Sequence, residues 1–226
     1  SAAAGTGTTV DSDAVFDVLF REALTGDADA GGLLAYNHLA GEPIAGLDEG
    51  RPLFVRTPDS SFTLANVMRA QIYGVFGTLA LGMRVLADEG VALDRMFAHG
   101  GLFRTAGVAQ RFLAGALAAP VAVAETASEG GAWGIAVLAA YTRYVLAASG
   151  DADEAGAEGA PRASVSPASG LDAFLRDRVF AGAAIETADP DPADVAGFAA
   201  YLDRYHDGLA AERAAVEALP LKGNPA

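Results

Sequence analysis

Between Phe62 and Asp88 the apolar residues Met68, Ile72, Val75, Leu79, Met83 and Leu86 recur three and four positions apart, the period of a helix with one apolar face. At 1.5 Å per residue such a helix is roughly 40 Å long. Ser61 or Thr63 stands where a cap is needed, and Gly90 where the helix should end. A second stripe of Val195, Phe198, Leu202, Tyr205, Leu209, Val216 and Leu219 predicts a final helix, capped by Asp191 with Pro192 in its first turn. That helix is expected to dock on the domain, or else to offer a face to a partner helix. Near the start, Asp11 or Ser12 caps a helix from Ala14 to Leu24, with Val15, Val18 and Leu19 facing inward, and the stretch from Gly26 to Gly32 breaks it. Short strands are expected at Leu33 to Tyr36 and Leu53 to Arg56, separated by a loop containing Gly41, Pro43, Gly46 and Gly50.

The middle of the chain repeats one pattern. Arg95 to His99 reads as a strand, Gly100-Gly101 as a tight turn and Val108 to Leu117 as a helix. Val121 to Val123, Gly130-Gly131 and Ala132 to Leu146 read as the next strand, turn and helix. Consecutive strand-turn-helix units imply parallel strands with helices packed on them, because a parallel pair needs a crossover connection. The fold class is therefore α/β, with a mostly parallel sheet. Residues 149–170 turn to Gly, Ala, Ser, Pro and acid, which reads as an exposed loop, and a short helix from Leu171 to Phe180 follows. The expected organisation is one main domain over residues 1–148, the acidic loop over 149–170, and C-terminal helices over 171–226 packing on the same domain.

Composition narrows the partners. The 226 residues are 52% hydrophobic, enough for one sizeable core. With 29 acidic against 15 basic residues the formal charge is -14, which repels nucleic acid and anionic membrane surfaces. Apolar runs such as Ala132 to Tyr141 fall short of the ~20 residues that span a bilayer, and the N-terminus lacks the regions of a signal peptide. A chain without cysteine has no disulfide or zinc-thiolate site, and a cytoplasmic location is expected.

Candidate chemistry centres on Gly100-Gly101-Leu102. A strand ending in two glycines lets a ligand approach the main chain, and the helix after it offers free N–H groups; the other reading is a tight packed turn. The glycines around Trp133 admit either a ligand or close helix-to-sheet contact, and Trp133 itself reads as core. Asn66, Arg69 and Gln71 are expected on the polar side of the long helix, where one of them reaches a ligand or all three face water. His38, His99 and His206 lack ligand-type neighbours in sequence, and the Asp27-Ala-Asp29 and Asp151-Ala-Asp153 segments lack the closing Glu of a calcium loop. Neither a P-loop nor a G-x-S-x-G nucleophile elbow occurs.

Four blocks in order carry a family resemblance. Gly32-Leu-Leu-Ala-Tyr36 leading to Gly41-Glu42-Pro43 is followed by Thr63-Leu-Ala-Asn-Val-Met-Arg69-Ala-Gln-Ile-Tyr-Gly74. Phe97-Ala-His-Gly-Gly-Leu-Phe-Arg-Thr105 comes next, and then Glu129-Gly-Gly-Ala-Trp-Gly-Ile-Ala136. Together they resemble the C-terminal domain of the FGGY carbohydrate kinases, from about Gly31 to Tyr141, with a weaker likeness to pentulose kinases over Tyr205 to Glu217. Departures are Leu102 in place of a third glycine or alanine, Gln110-Arg111 as the remainder of a W-R-Q segment, and Pro43 where Arg follows Gly-Glu.

The resemblance implies an actin-like, ribonuclease-H-like domain on the nucleotide side of an ATP-dependent sugar kinase, with ATP and Mg²⁺ as cofactors and a pentulose, xylulose or ribulose, as the sugar. Carried over by position, Gly100, Gly101, Leu102 and Thr105 line the adenosine or α-phosphate pocket, while Ser61, Phe62 and Asn66 lie near the other side of the base. It also implies that the general base and the sugar pocket belong to an N-terminal domain outside this chain, so the chain alone is expected to be inactive. A homodimer is compatible with this reading, and the alternative is a non-enzymatic, actin-like nucleotide- or effector-binding module.

Overall fold

Helix α2 (Leu64–Asp88) is the central rod of the structure, a computed structural model that describes residues 11–124, 130–149, 167–182 and 184–221. Its ends follow the sequence closely. The Thr63 hydroxyl accepts the Asn66 N–H at 3.2 Å. At the other end Gly90 adopts φ +76°, and the bonds Gly90 N–H to Ala87 O and Val91 N–H to Leu86 O close a Schellman motif.

The face that α2 buries differs from the expected stripe. Ile72 is buried, but Val75 and Leu79 are 50% and 40% exposed and Leu86 is exposed as well. The covered face runs through Ala65, Asn66, Arg69, Ala70, Tyr73, Phe76, Gly77 and Ala80. Small residues and glycines let other elements approach closely, which a count of large apolar side chains overlooks: a Cβ on Gly77 would lie 2.7 Å from the Tyr205 ring. By length and composition α2 is apolar enough to cross a membrane, against the expectation that no segment is. It is instead a packed core helix, bearing on the strand Leu34–Tyr36 and on the helices Val108–Leu117 and Pro192–Ala218.

The chain forms two compact units. The first draws on residues 1–97, 105–122 and 187–226. In it α1 (Ser12–Glu22) is capped by Asp11 and runs into a 3-10 turn at Ala23–Thr25. None of the α1 residues is buried, so the inward face expected from Val15, Val18 and Leu19 is only half-covered at Leu19. Periodicity defines a face without saying whether anything covers it. Strands β1 (Leu34–Tyr36) and β2 (Leu53–Val55) pair antiparallel, with Ala35 opposite Phe54. Helix α3 spans Val108–Leu117, as the sequence predicts, and α6 spans Pro192–Ala218 with Asp191 accepting the Ala193 and Asp194 N–H groups.

An aromatic cluster fills the space between α2, α3 and α6. Tyr73 meets Phe112, Phe198 and Tyr201 edge-on at centroid distances of 5.6, 4.9 and 5.1 Å, and Tyr36 stacks on Tyr205 at 4.7 Å. Each phenol has a partner: Tyr36 donates to Tyr205 O, Tyr73 to Ala28 O, and the Tyr201 hydroxyl lies 3.3 Å from Ala70 O. Of the α6 stripe, Phe198, Leu202, Tyr205 and Leu209 are buried as expected, but Leu219 is exposed. Toward the end of that helix the fully buried Glu212 carboxylate bonds His38 Nδ1 at 2.8 Å and accepts the Arg51 N–H at 3.2 Å. Tyr205 completes the group at His38 Nε2, and Arg51 Nε donates to Leu219 O at 2.7 Å. His38, without an acidic neighbour in sequence, acquires one in space.

The second unit comprises residues 98–104 and 123–186. Its helix α4 (Gly130–Ser149) includes Gly130 and Gly131 in its first turn, so the expected tight turn is the start of the helix itself. Trp133 is half-buried against Phe180, and Tyr141 and Tyr144 pack on Phe174 of α5 (Pro167–Phe174). Helix α5 continues into a π turn over Leu175–Val179. Most of the acidic stretch 149–170, with Asp151 and Asp153, lies outside the described residues, as does Glu129.

Three short strands carry the chain between the units: β3 (Met96–Ala98), β4 (Val121–Ala124) and β5 (Ile185–Ala188), hydrogen-bonded in the order β3–β4–β5. The sequence reading includes the first two, while the third follows no alternating pattern.

Burial raises the Tyr36, Tyr201 and Tyr205 phenols above their ordinary range and pushes Tyr73 from 10.0 up to about 12. A phenol held neutral in the fold but free to ionise in the unfolded chain contributes stability that is complete below pH 10 and declines as pH rises from there toward 12. Titration to alkaline pH is expected to produce the tyrosinate absorbance together with loss of helical circular dichroism. Ionisation of Tyr36, Tyr73, Tyr201 and Tyr205 at pH 10 in a chain that keeps its helix content would contradict this packing.

Candidate functional site

The start of α2 and the loop from Gly26 to Gly32 are built as one piece. Ala30, Gly31 and Gly32 all take left-handed backbone, with φ of +60°, +60° and +77°. The coiled stretch itself is pinned by Ser60 and Ser61, whose Oγ and N–H donate to Gly32 O and Gly31 O, while donors of α2 hold the residues just before it. Asn66 Nδ2 donates to Asp27 Oδ2 and Ser61 O at 2.8 and 2.9 Å, while its Oδ1 accepts the Asp27 N–H at 2.7 Å. Arg69, only 2% exposed, donates from Nε to Ala23 O and from Nη1 to Asp27 O. Asn66, Arg69 and Tyr73 thus share one helix face with a common task, holding the turn and loop from Ala23 to Ala28: Arg69 and Tyr73 through its carbonyls, Asn66 through the Asp27 carboxylate and N–H. Neither the ligand-reaching nor the water-facing reading of Asn66 and Arg69 describes this; Gln71 alone of the three stays half-buried on the side of the helix.

Arg69 also enters an ion cluster. Its Nη2 lies 3.4 Å from Asp194 Oδ1, and Arg111 Nε donates to the other carboxylate oxygen. The guanidinium faces the Phe112 ring at 4.7 Å from its centroid. Hydrogen bonding to Asp194 raises Arg111 above its ordinary range, so its guanidinium stays charged across the physiological range. Gln110, the neighbour of Arg111, donates to Val121 O at 2.9 Å. The Gln110-Arg111 pair therefore ties α3 to β4 and to α6.

Outside this scaffold the loop surface opens into a cavity of 390 Å³, lined among others by Gly31, Gly32, Arg56, Ser60, Ser61 and Arg204. Ser61 is held by its own N–H to Gly31 O at 2.8 Å, leaving its side chain exposed at the rim. Phe62 is 58% exposed, edge-on to Phe54 and with the Arg56 guanidinium 4.9 Å from its ring centroid. Arg204 bonds Asp29 at 2.9 Å, and its Nε is buried without a hydrogen-bond partner, a condition that costs about 1–3 kcal/mol. Sequence reasoning reached Ser61 and Phe62 but missed Asp29, Arg56 and Arg204. The available signal was local, a Gly-Gly pair and two adjacent serines, and no spacing rule joins Asp29 to a residue 175 positions away.

The double-glycine turn belongs to the second unit. Gly100 adopts φ +113°, which favours glycine, and a Cβ on either Gly100 or Gly101 would meet nothing within 4 Å. A 3-10 turn over Gly101–Phe103 follows, with Phe103 N–H bonded to Gly100 O, and α3 begins only at Val108, where the sequence reading has it. The free N–H groups at this point are those that the 3-10 turn leaves outside its own ladder. Leu102 is half-buried. Thr105, in the first unit, directs its hydroxyl to Asp17, whose carboxyl is held low mainly by Arg21 and less by Thr105. Ser61, Phe62 and Asn66 are thus neighbours at the start of α2, and Gly100, Gly101 and Leu102 form a separate open turn.

Helices around a small sheet, with this order of glycine turn and capped helix, define an actin-like, ribonuclease-H-like α/β domain. Residues 4–143 match the model of the FGGY family of carbohydrate kinases, C-terminal domain, and the chain belongs to that family. Among solved structures, gluconate kinase from Lactobacillus acidophilus is similar, with 20% identity, a TM-score of 0.60 and coverage of 94% of this chain and 37% of that one. Ligand-bound xylulose kinase from the same organism gives 19%, 0.58, 89% and 34%. Xylulose kinase from Rhodospirillum rubrum gives 22%, 0.50, 92% and 35%. At such identities the likeness concerns the fold. The chain spans about a third of the length of these kinases. No curated protein sequence matches it.

Replacing Asp194 by Ala leaves Arg69 buried without its carboxylate and is expected to destabilise the chain by about 3–5 kcal/mol. Asp191→Ala, which removes the α6 cap and a long, exposed ion pair to Arg111 at 3.9 Å, should cost about 0.5–2 kcal/mol. Urea unfolding of the two variants measures the difference, and equal losses would refute the central role of the Arg69–Asp194 pair.

Proposed function

We propose that this chain is the nucleotide-side part of a carbohydrate kinase that transfers the γ-phosphoryl group of ATP to a sugar hydroxyl. The family match over residues 4–143 carries the reading. The open turn supports it: main chain without side chains over Gly100 and Gly101 suits the close approach of an adenosine or α-phosphate. Leu102 and Thr105 flank that turn. Ser61 and the exposed Phe62 ring offer a hydroxyl and an apolar face toward the base, and Asn66 serves by holding Ser61 in place, its own amide being fully engaged.

Phosphoryl transfer depends mainly on positioning and charge stabilisation, with Mg²⁺ on the phosphates neutralising charge. Among the described residues no three His, Cys, Asp or Glu side chains are grouped to hold a metal, and a nucleotide-borne Mg²⁺ needs no such cage, since phosphates, water and one or two carboxylates suffice. The general base and the sugar pocket are assigned to a further, N-terminal domain, and the 226 residues alone are expected to be inactive. The xylulose kinases among the similar structures favour a pentulose, with gluconate the competing substrate. Sugar phosphorylation from ATP points to a cytoplasmic enzyme.

The test is a coupled ADP-release assay on the full-length protein with xylulose, ribulose, gluconate and glycerol. Turnover with a pentulose is expected, and nucleotide binding without turnover on any sugar would instead identify a non-enzymatic module. Gly101→Val adds a side chain where the fold has open space, so it should leave thermal stability unchanged and raise the KM for ATP about tenfold or more. An unchanged KM would remove the turn from the nucleotide site.

A further inference from the structure

The cavity beside the Gly31-Gly32 loop has an uneven hydrogen-bond inventory. Its carboxylates are engaged: Asp29 accepts from the Gly31 N–H and from Arg204, and Asp59 accepts from Thr57 and from its own backbone N–H. Its cations are not. Arg56 touches the Phe62 ring but makes no hydrogen bond or ion pair among the described residues. Arg204 keeps Nη2 on Asp29 and leaves Nη1 without a hydrogen bond among the described residues, while its Nε, also unpartnered, is buried within the wall. Ser61 adds an exposed hydroxyl at the rim, and the backbone of Gly31 and Gly32 keeps that wall free of side chains.

Surplus donors on two arginines, opposite a wall of bare main chain, call for a ligand that only accepts hydrogen bonds. A neutral polyol would bring as many donors as acceptors and would leave the carboxylates, already engaged, facing its hydroxyls. An oxyanion matches what remains, because a guanidinium edge fits a planar carboxylate or two phosphate oxygens. At 390 Å³ the space takes a small metabolite rather than a polymer.

We propose that this cavity binds the oxyanion group of a small metabolite, a phosphate monoester or a carboxylate, between Arg56 and Arg204 with Ser61 at its rim. The cavity shares Ser61 with the proposed nucleotide-side residues, but it does not depend on the kinase reading: failure of the chain to phosphorylate any sugar would leave it untouched.

The test is an NMR titration of the 226-residue chain with inorganic phosphate, glycerol 3-phosphate and acetate, with glycerol as the uncharged control, all at equal ionic strength. Saturable shifts at the Gly31, Gly32, Ser60 and Ser61 amides are expected from at least one anion and not from glycerol, and the tighter anion names the group. Affinity should fall as sodium chloride is raised. Arg56→Gln, at an exposed position, should weaken binding about tenfold without altering the spectrum elsewhere. Thr57→Trp, which fills the mouth of the cavity, should abolish binding. Glycerol shifts equal to those of the anions, no saturable shift from any anion, or unchanged affinity in Arg56→Gln would overturn the proposal.

Discussion

The first unit is organised around one buried charge. Arg69 cannot be desolvated without acceptors, and its donors are distributed over three parts of the chain: Ala23 O, Asp27 O and the Asp194 carboxylate. Each acceptor fixes an element. The turn after α1, the glycine loop and the first turn of α6 all register on the same guanidinium, and Arg111 brings in α3 through the second oxygen of Asp194. A buried ion pair adds little net stability compared with an apolar replacement, but it penalises arrangements in which any one partner is displaced. The aromatic cluster around Tyr73 supplies the burial, and the ion cluster selects one packing of it.

Much of the fold is legible in the sequence where a local rule decides. Helix α3 has both its predicted ends, Gly90 terminates α2 through a Schellman motif, and Asp191 caps α6. The errors arise where a residue's role depends on what covers it. Val75, Leu79 and Leu86 make a regular stripe yet face outward, while Gly77 and Ala80 on the covered side are too small to register as hydrophobic signal. Asn66 and Arg69 read as a polar face although they are the most buried polar residues of α2, because the groups that they bind, the Asp27 carboxylate and carbonyl, come from a loop some forty positions away.

The candidate site is legible in a different way. The order of the motif blocks locates the open glycine turn and the start of α2, and the structure shows open surface at both: nothing lies near the Cβ positions of Gly100 and Gly101, and the side chains of Ser61 and Phe62 are exposed. The same structure separates support from contact. Asn66 has no free amide group, whereas Ser61 does have a free face, a distinction that residue type alone does not make. The Arg56 and Arg204 cavity was hidden because its walls come from the glycine loop, the segment after β2 and α6, and only folding assembles them.

The first unit is discontinuous in sequence: the last of its segments, which contains α6, follows the whole of the second unit. Helix α6 supplies Asp194 to Arg69 near one end and Glu212 to His38 and Arg51 near the other. During synthesis, Arg69 leaves the ribosome long before its carboxylate does, so the first unit waits with an unmatched cation while residues 123–186 are made. Its closure is therefore a late event, and the nascent chain before that point is the state most exposed to proteases and chaperones.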